Sequence, residues 1–316
     1  MILHVSIFLV SCVLLSFAAK LLISSLTKIA MFLGWREFVV AFFVMAFAGS
    51  VPNLFLGFSS ILHGIPELSF ADVIGGNIVD LTLAISLVTF LGKRLPAKSR
   101  MVQSSSLFTV CAALLPLLLI SDGVLGREDG ILLIGIFILY VLWLFSKKER
   151  FTKVYNGRKV SAVKGFKTFI KDLAKVILGL ILLLLATEGI IRTAIFLAEK
   201  LNLSLGLVGI LVVALGNSLP EIYFAITSAR SDQNWMVLGD LMGAVIVPST
   251  LVLGIVALVS PIKITNFAPF TIARFFLIIS SLFFLYFIKT EREITKKEGS
   301  LLFLIYILFV VCQLLA

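Results

Sequence analysis

The sequence predicts an all-α integral membrane protein of about ten transmembrane helices, arranged as two inverted five-helix repeats. Three observations predict it. Of the 316 residues, 60% are hydrophobic and only 14% charged, whereas soluble domains carry about a quarter charged residues. The apolar residues gather near 2–25, 36–62, 70–92, 101–121, 128–146, 169–198, 204–229, 235–260, 267–288 and 299–316. Most of these segments reach the roughly 20 residues that cross a hydrocarbon core. Finally, the second half of the chain repeats the first.

The first segment resembles a signal peptide only in its position. It has no basic leading region, runs too long and carries Lys20 in its middle, so it is read as a span. The later segments are separated by loops that alternate in charge. Lys28 and Arg36, then Lys93, Arg94, Lys98 and Arg100, then Lys289, Arg292, Lys296 and Lys297 fall on one side, with Arg230 and the basic stretch from Lys147 to Lys171. The opposite loops hold little beyond Arg127, Lys200 and Lys263, beside Glu67, Asp122, Glu128 and Asp129. The positive-inside rule puts the basic set in the cytoplasm and both termini on the extracytoplasmic side of a cell membrane. The formal net charge of +10 is thus a topology signal with a contribution from anionic lipid. No domain is left to carry a nucleic-acid patch. Cys12, Cys111 and Cys312 lie singly in apolar stretches, which gives neither a disulfide framework nor a zinc spacing.

A shift of about 168 residues pairs AFAGSVPNLFLGFSS (46–60) with ALGNSLPEIYFAITS (214–228) without a gap. The register continues from ADVIGGNIVDLTL (71–83) to GDLMGAVIVPSTL (239–251). Shared leucines and valines mean little in membrane helices. Pro52/Pro220, Asp72/Asp240 and Gly75/Gly243 in one register mean more. Residues 1–146 form the first repeat, 147–168 a basic cytoplasmic linker and 169–316 the second repeat. Five spans per repeat is odd, so the second copy is inverted, and inverted repeats place ion sites near the midplane where interrupted helices meet.

The residues that could carry chemistry stand at matching places. Pro52 and Pro220 each lack an N–H and clash with the carbonyl four residues back, at Ala48 or Gly216. In lipid an unpaired carbonyl needs a partner, and a cation is one. Glu221 and Asp80 are the deep acids, and their repeat partners are Asn53 and Pro248. Intramembrane carboxylates must be paired, protonated or cation-bound. Two acids and an amide, with no His or Cys nearby, suit hard cations such as calcium or sodium. Asp72 and Asp240 open the third and eighth spans as vestibule candidates, with complementing the helix dipole as the competing role. Lys20 and Glu188 match across the repeat, with Arg192 one turn beyond, and read as a packing or interfacial charge group.

ALGNSLPEIYFAITSA (214–229) with MVLGDLMGAVIVPSTLVLG (236–254) resembles the second repeat motif of the sodium/calcium exchanger family, within the calcium/cation antiporters. AFAGSVPN with DVIGGNIVDL resembles the first. The resemblance implies that Glu221 is a central calcium ligand and that Asp80 fills an Asn/Asp position. It implies sodium-binding roles for Ser50, Ser218 and Asn217, and ion-coordinating carbonyls at Ala46 and Ala214. The chain departs from the family pattern where a glutamate is Asn53, an Asn/Asp is Pro248, and two serines are Gly76 and Ala244. The implied function is secondary active antiport of Ca2+ against Na+, with no cofactor, inorganic cations as cargo and membrane lipid as surroundings. A proton-coupled exchanger, or a degenerate member without coupled transport, is the alternative. An enzyme is not expected, since no catalytic His or Cys pairing is present.

Overall fold

The computed structural model describes residues 2–32, 49–91, 94–97, 100–146, 162–230, 234–264, 266–290 and 292–315. Ala46, most of the second segment before Gly49 and the basic residues 147–161 lie outside them. The chain is an all-helical membrane protein. Ten helices stand among the described residues: α1 Ile2–Phe32, α2 Val51–Leu62, α3 Glu67–Phe90, α4 Arg100–Leu119, α5 Arg127–Ser146, α6 Ala162–Leu201, α7 Leu205–Arg230, α8 Val237–Val259, α9 Ala268–Thr290 and α10 Lys296–Leu315. Eight of these regions are long and apolar enough to cross a membrane, and the shorter α2 is the described part of the second segment. Helix α5 supplies 20 mostly apolar residues in fifth place. Helix α6 begins at Ala162, inside the stretch read as linker, and α1 runs on to Phe32.

Local chemistry sets the boundaries. Gly64, in the left-handed region at φ 70°, turns the chain between α2 and α3. Ser204 caps α7, its hydroxyl accepting the Leu207 N–H at 3.1 Å. Two short antiparallel ribbons tie loops together. Strand β1 (Leu95–Pro96) pairs with β4 (Glu293–Ile294), and β2 (Val124–Leu125) pairs with β3 (Ile262–Lys263). The first ribbon joins the α3–α4 loop to the α9–α10 loop, and the second joins α4–α5 to α8–α9. Each ribbon therefore unites loops that an alternating ten-span path puts on one side. The Arg94–Glu293 ion pair, 2.6 Å, flanks the first ribbon.

Helices α3 and α8, equivalent in the two repeats, are the most enclosed of the long helices. Around them α4, α9 and α10 complete the main apolar cluster, including Ile74, Leu81, Leu241, Val256, Phe284 and Phe309. Helices α1 and α6 pack on each other in a second cluster through Leu15, Ala18, Leu183, Ile190 and Ala194. Large apolar side chains such as Leu118, Leu142, Phe275 and Leu304 remain exposed on the outside, as a lipid-facing surface requires. Cys111 and Cys312 share that exposure, and Cys12 is buried against α6 and α7.

Backbones meet where glycine permits. A Cβ on Gly75 of α3 would strike the Ile210 carbonyl oxygen of α7 and approach the Ala214 Cβ to 2.6 Å. Close approach of small residues is the ordinary means of helix association in lipid. Here it sets α3 against the interrupted part of α7, and so places the site.

Candidate functional site

The inverted repeat appears in the backbone as two matched pairs of irregularities. Helix α7 breaks at Ser218 (φ −81°, ψ 0°), and the chain turns alike at Ser50 (φ −84°, ψ −3°) just before α2. Pro52 and Pro220 are the second residues of the helical segments that restart there. They therefore begin helical segments, where the sequence alone places them mid-span. A proline in a first turn sacrifices no ladder hydrogen bond, so each proline starts a new segment.

The second pair lies in α3 and α8. Each opens into a wide π-helical turn, at Asp80–Ala84 and at Pro248–Val252, in the same repeat register. Asp80 makes that turn without a proline, so Pro248 occupies a turn the fold already has. Within each turn a threonine hydroxyl donates to the carbonyl four residues back, Thr82 to Ile78 and Thr250 to Ile246. These bonds serve carbonyls where the helical ladder is irregular, which the apolar surroundings demand.

Between these irregularities is a small polar cavity. Asn53, Asp72, Asn77, Asp80, Asn217, Ser218 and Glu221 line it, with Val73, Gly76, Ala244 and Pro248. Asp72, Asp80, Asn217 and Glu221 are 2%, 4%, 4% and 8% exposed, so all four are withdrawn from solvent. One oxygen of each, Asp72 Oδ1, Asp80 Oδ1, Asn217 Oδ1 and Glu221 Oε2, has no hydrogen-bond partner. No lysine, arginine or histidine is among the lining residues. Buried acceptors without donors are costly, and buried charge more so. A cation removes both costs. Among the described residues no three His, Cys, Asp or Glu groups converge tightly enough to hold a metal alone. Amide, hydroxyl or water oxygens must therefore complete the shell, as hard cations accept.

A hydrogen-bond network spans the two repeats. Asn217 Nδ2 donates to Asn53 Oδ1 and, at 2.9 Å, to Asp72 Oδ2. The Ser218 hydroxyl hydrogen-bonds Asp80. Asn77 Nδ2 donates to Ser249 Oγ at 2.8 Å, tying α3 to α8. A Cβ on Gly76 would lie 3.5 Å from Ser218 Oγ, where the family pattern has a serine.

Six predicted residues come together here: Asn53, Asp72, Asp80, Asn217, Ser218 and Glu221. Others do not. Ser50 is buried at the turn without lining the cavity, and the Ala214 carbonyl accepts the Ser218 N–H at 2.9 Å, also away from the lining. Asp240 is not among the lining residues, but its buried Oδ2 has no hydrogen-bond partner and its carboxyl is close enough to interact electrostatically with Asp80 and Glu221. Asp72 lies beyond the first turn of α3, and the helical stretch that carries Asp240 already begins at Asn234, so neither sits in a first turn, where dipole effects are confined. Asn77 was not singled out from sequence, although it follows the glycine pair in GGNIVD. Lys20 donates to the Tyr223 hydroxyl at 3.0 Å, and Glu188 accepts from Arg192 at 2.7 Å and Ser59 at 3.0 Å. This charge group joins α1 to α7 and α6 to α2, outside the site.

Comparison with known proteins gives the family. A sequence profile of the sodium/calcium exchanger protein family matches residues 3–146 and again 172–315. The chain belongs to the sodium/calcium exchanger family. That is a family of transporters, not of enzymes. Among its relatives, inner membrane protein YrbG of Escherichia coli is 23% identical over 96% of this chain and 94% of its own length. Sodium/calcium exchanger MaX1 of Methanosarcina acetivorans is 24% identical over 92% of each chain. A solved structure of the sodium-calcium exchanger NCX_Mj, soaked with sodium and strontium, superposes with a TM-score of 0.68 at 25% identity over 98% of both chains.

Proposed function

We propose that the protein is a secondary active cation antiporter that exchanges Ca2+ for Na+ across the membrane, at the cavity between α2, α3 and α7. The observation that carries this reading is the set of buried, donor-free oxygens on Asp72, Asp80, Asn217 and Glu221. They lie where a broken helix of one repeat meets a wide turn of the other. Asp80 and Glu221 match the charge of a divalent ion. Asn217 and Ser218 add an amide and a hydroxyl, and the family pattern adds Ser50 and the carbonyls of Ala46 and Ala214 as sodium ligands. Alternating access through inverted repeats exposes such a site to one side at a time. The loops around β1 and β4, rich in Lys and Arg, face the cytoplasm, and both termini are extracytoplasmic.

Proton coupling is the second reading. It is favoured by Gly76, Ala244 and Pro248, which offer no side-chain oxygen where the family pattern has one. Carboxylates can instead release a cation by taking up protons. The deciding experiment is 45Ca2+ uptake into proteoliposomes of the purified protein under separately imposed sodium and proton gradients. Uptake driven by sodium alone supports the first reading, and uptake driven by protons alone supports the second. Absence of coupling to either gradient would leave a degenerate member and reject antiport.

A further inference from the structure

The site has a third acid where the family pattern assigns none. Asn53 stands at the first repeat's glutamate position, and an amide supplies no charge. Its oxygen is also already engaged, since Asn53 Oδ1 accepts from Asn217. The other Asn217 amide hydrogen goes to Asp72 Oδ2 at 2.9 Å. Two bonds exhaust the donor capacity of that amide. Asp72, a carboxylate, can only accept, which fixes the end of Asn217 that faces it and leaves Asn217 Oδ1 without a donor. Asp72 Oδ1 is likewise unpartnered, on a side chain 2% exposed that lines the cavity. Asp72 lies beyond the first turn of α3, where the helix terminus offers it nothing. A buried carboxylate with a bare oxygen must take up a proton or a cation, and Asp72 lines a polar cavity that offers further oxygens to a cation.

We propose that Asp72 is a cation-binding residue, held by Asn217 as its positioning residue, and that it supplies the charge the first repeat lacks at Asn53. The first repeat's acid has thus moved from α2 to α3, across the bridge that Asn217 makes between them. This rests on the exchange reading above and goes beyond it, because the family pattern assigns position 72 no role.

The test is calcium binding to the purified full-length protein by calorimetry, in the unmodified chain, Asp72→Asn, Asn53→Glu and Asn53→Glu/Asp72→Asn. Asp72→Asn is isosteric and keeps an oxygen for Asn217, so its melting temperature without calcium should match the parent. We expect it to weaken calcium binding about tenfold or more, and the double variant to return to within about threefold of the parent. Should Asp72→Asn fail to fold alone, the double variant is compared with Asn53→Glu and should bind correspondingly more weakly. Unchanged affinity in either comparison overturns the proposal. So does a loss that Asn53→Glu does not repair, which would place the defect in the Asn217 network rather than in charge. A parent protein that binds no calcium overturns the exchange reading together with this one. A parent that binds calcium, with Asp72→Asn binding equally well, overturns this one alone.

Discussion

In the first repeat the chain turns at Ser50, restarts with Pro52 and presents Asn53, then opens a wide turn in α3 that begins with Asp80. In the second it turns at Ser218, restarts with Pro220 and presents Glu221, then opens the same turn in α8 beginning with Pro248. The backbones match in register and in angle, while the side chains are complementary. One repeat gives its central acid from α3, and the other gives its own from α7. What is preserved is the set of interruptions around the buried polar cavity. Which helix bears the charge is free to change, provided the total suits the cargo.

The largest expected effect comes from removing either central acid. Glu221→Gln and Asp80→Asn should each abolish measurable calcium transport in proteoliposomes while the protein folds and reconstitutes normally. Removing one partner of a buried charge interaction costs about 3–5 kcal/mol, or about 140- to 4,000-fold in affinity. If the acids are complementary, the two variants fail alike. Transport at the parent rate by both would dissolve the comparison and move the site elsewhere.

Restoring symmetry tests the comparison from the other side. Asn53→Glu gives both repeats the same acid and should raise calcium affinity about tenfold, as a charged group replaces an amide beside the ion. Calorimetry that finds equal or weaker binding would show that position 53 only holds Asn217. A smaller gain is expected for sodium. Gly76→Ser brings a hydroxyl beside Ser218, since a Cβ at position 76 would lie in ordinary contact, 3.5 Å from Ser218 Oγ. One added neutral ligand contributes about 1 kcal/mol, or about fivefold in the sodium concentration that half-saturates exchange. An unchanged sodium requirement would mean that Gly76 does not face a sodium position.

Much of this was legible in the residues because lipid leaves so few alternatives. A polar backbone in hydrocarbon must be helical or enclosed, so the segments and the repeat fixed the helix order. Helix ends were less legible: α6 starts within the basic stretch because a helix can leave the apolar layer without a change in local pattern. The prolines read as mid-span residues because the sequence shows a missing N–H and not whether a segment begins there. The acids Asp80 and Glu221 were legible from their cost. The place of Asp72 was not, because the same pattern fits a dipole-complementing residue until burial and the Asn217 bond separate the two roles. Ser50, Ala214 and Asp240 share the register of the site without lining it, since register gives a position along a helix and not contact across helices.

The last effect expected is on pH, and only its upper bound is set. Gly76, Ala244 and Pro248 supply no side-chain oxygen, so on the exchange reading proposed above fewer sodium ions should fill the site together. Carboxylates then carry more of the exchange, and protons compete with cations for the same oxygens. The sign follows from that competition: as pH falls the cation is displaced, and sodium-driven calcium uptake slows. One competing proton bounds the change at about tenfold per pH unit, and the full bound is reached only where that proton is mostly bound. Uptake under a fixed sodium gradient should therefore be slower at about pH 6 than at about pH 8, with membrane potential clamped. Gly76→Ser should flatten the profile if a restored hydroxyl returns part of the coupling to sodium. Strong electrogenic sodium dependence with no pH effect in the parent would show that the altered turn positions cost the site no sodium. The asymmetry between the repeats would then be confined to where the negative charge sits.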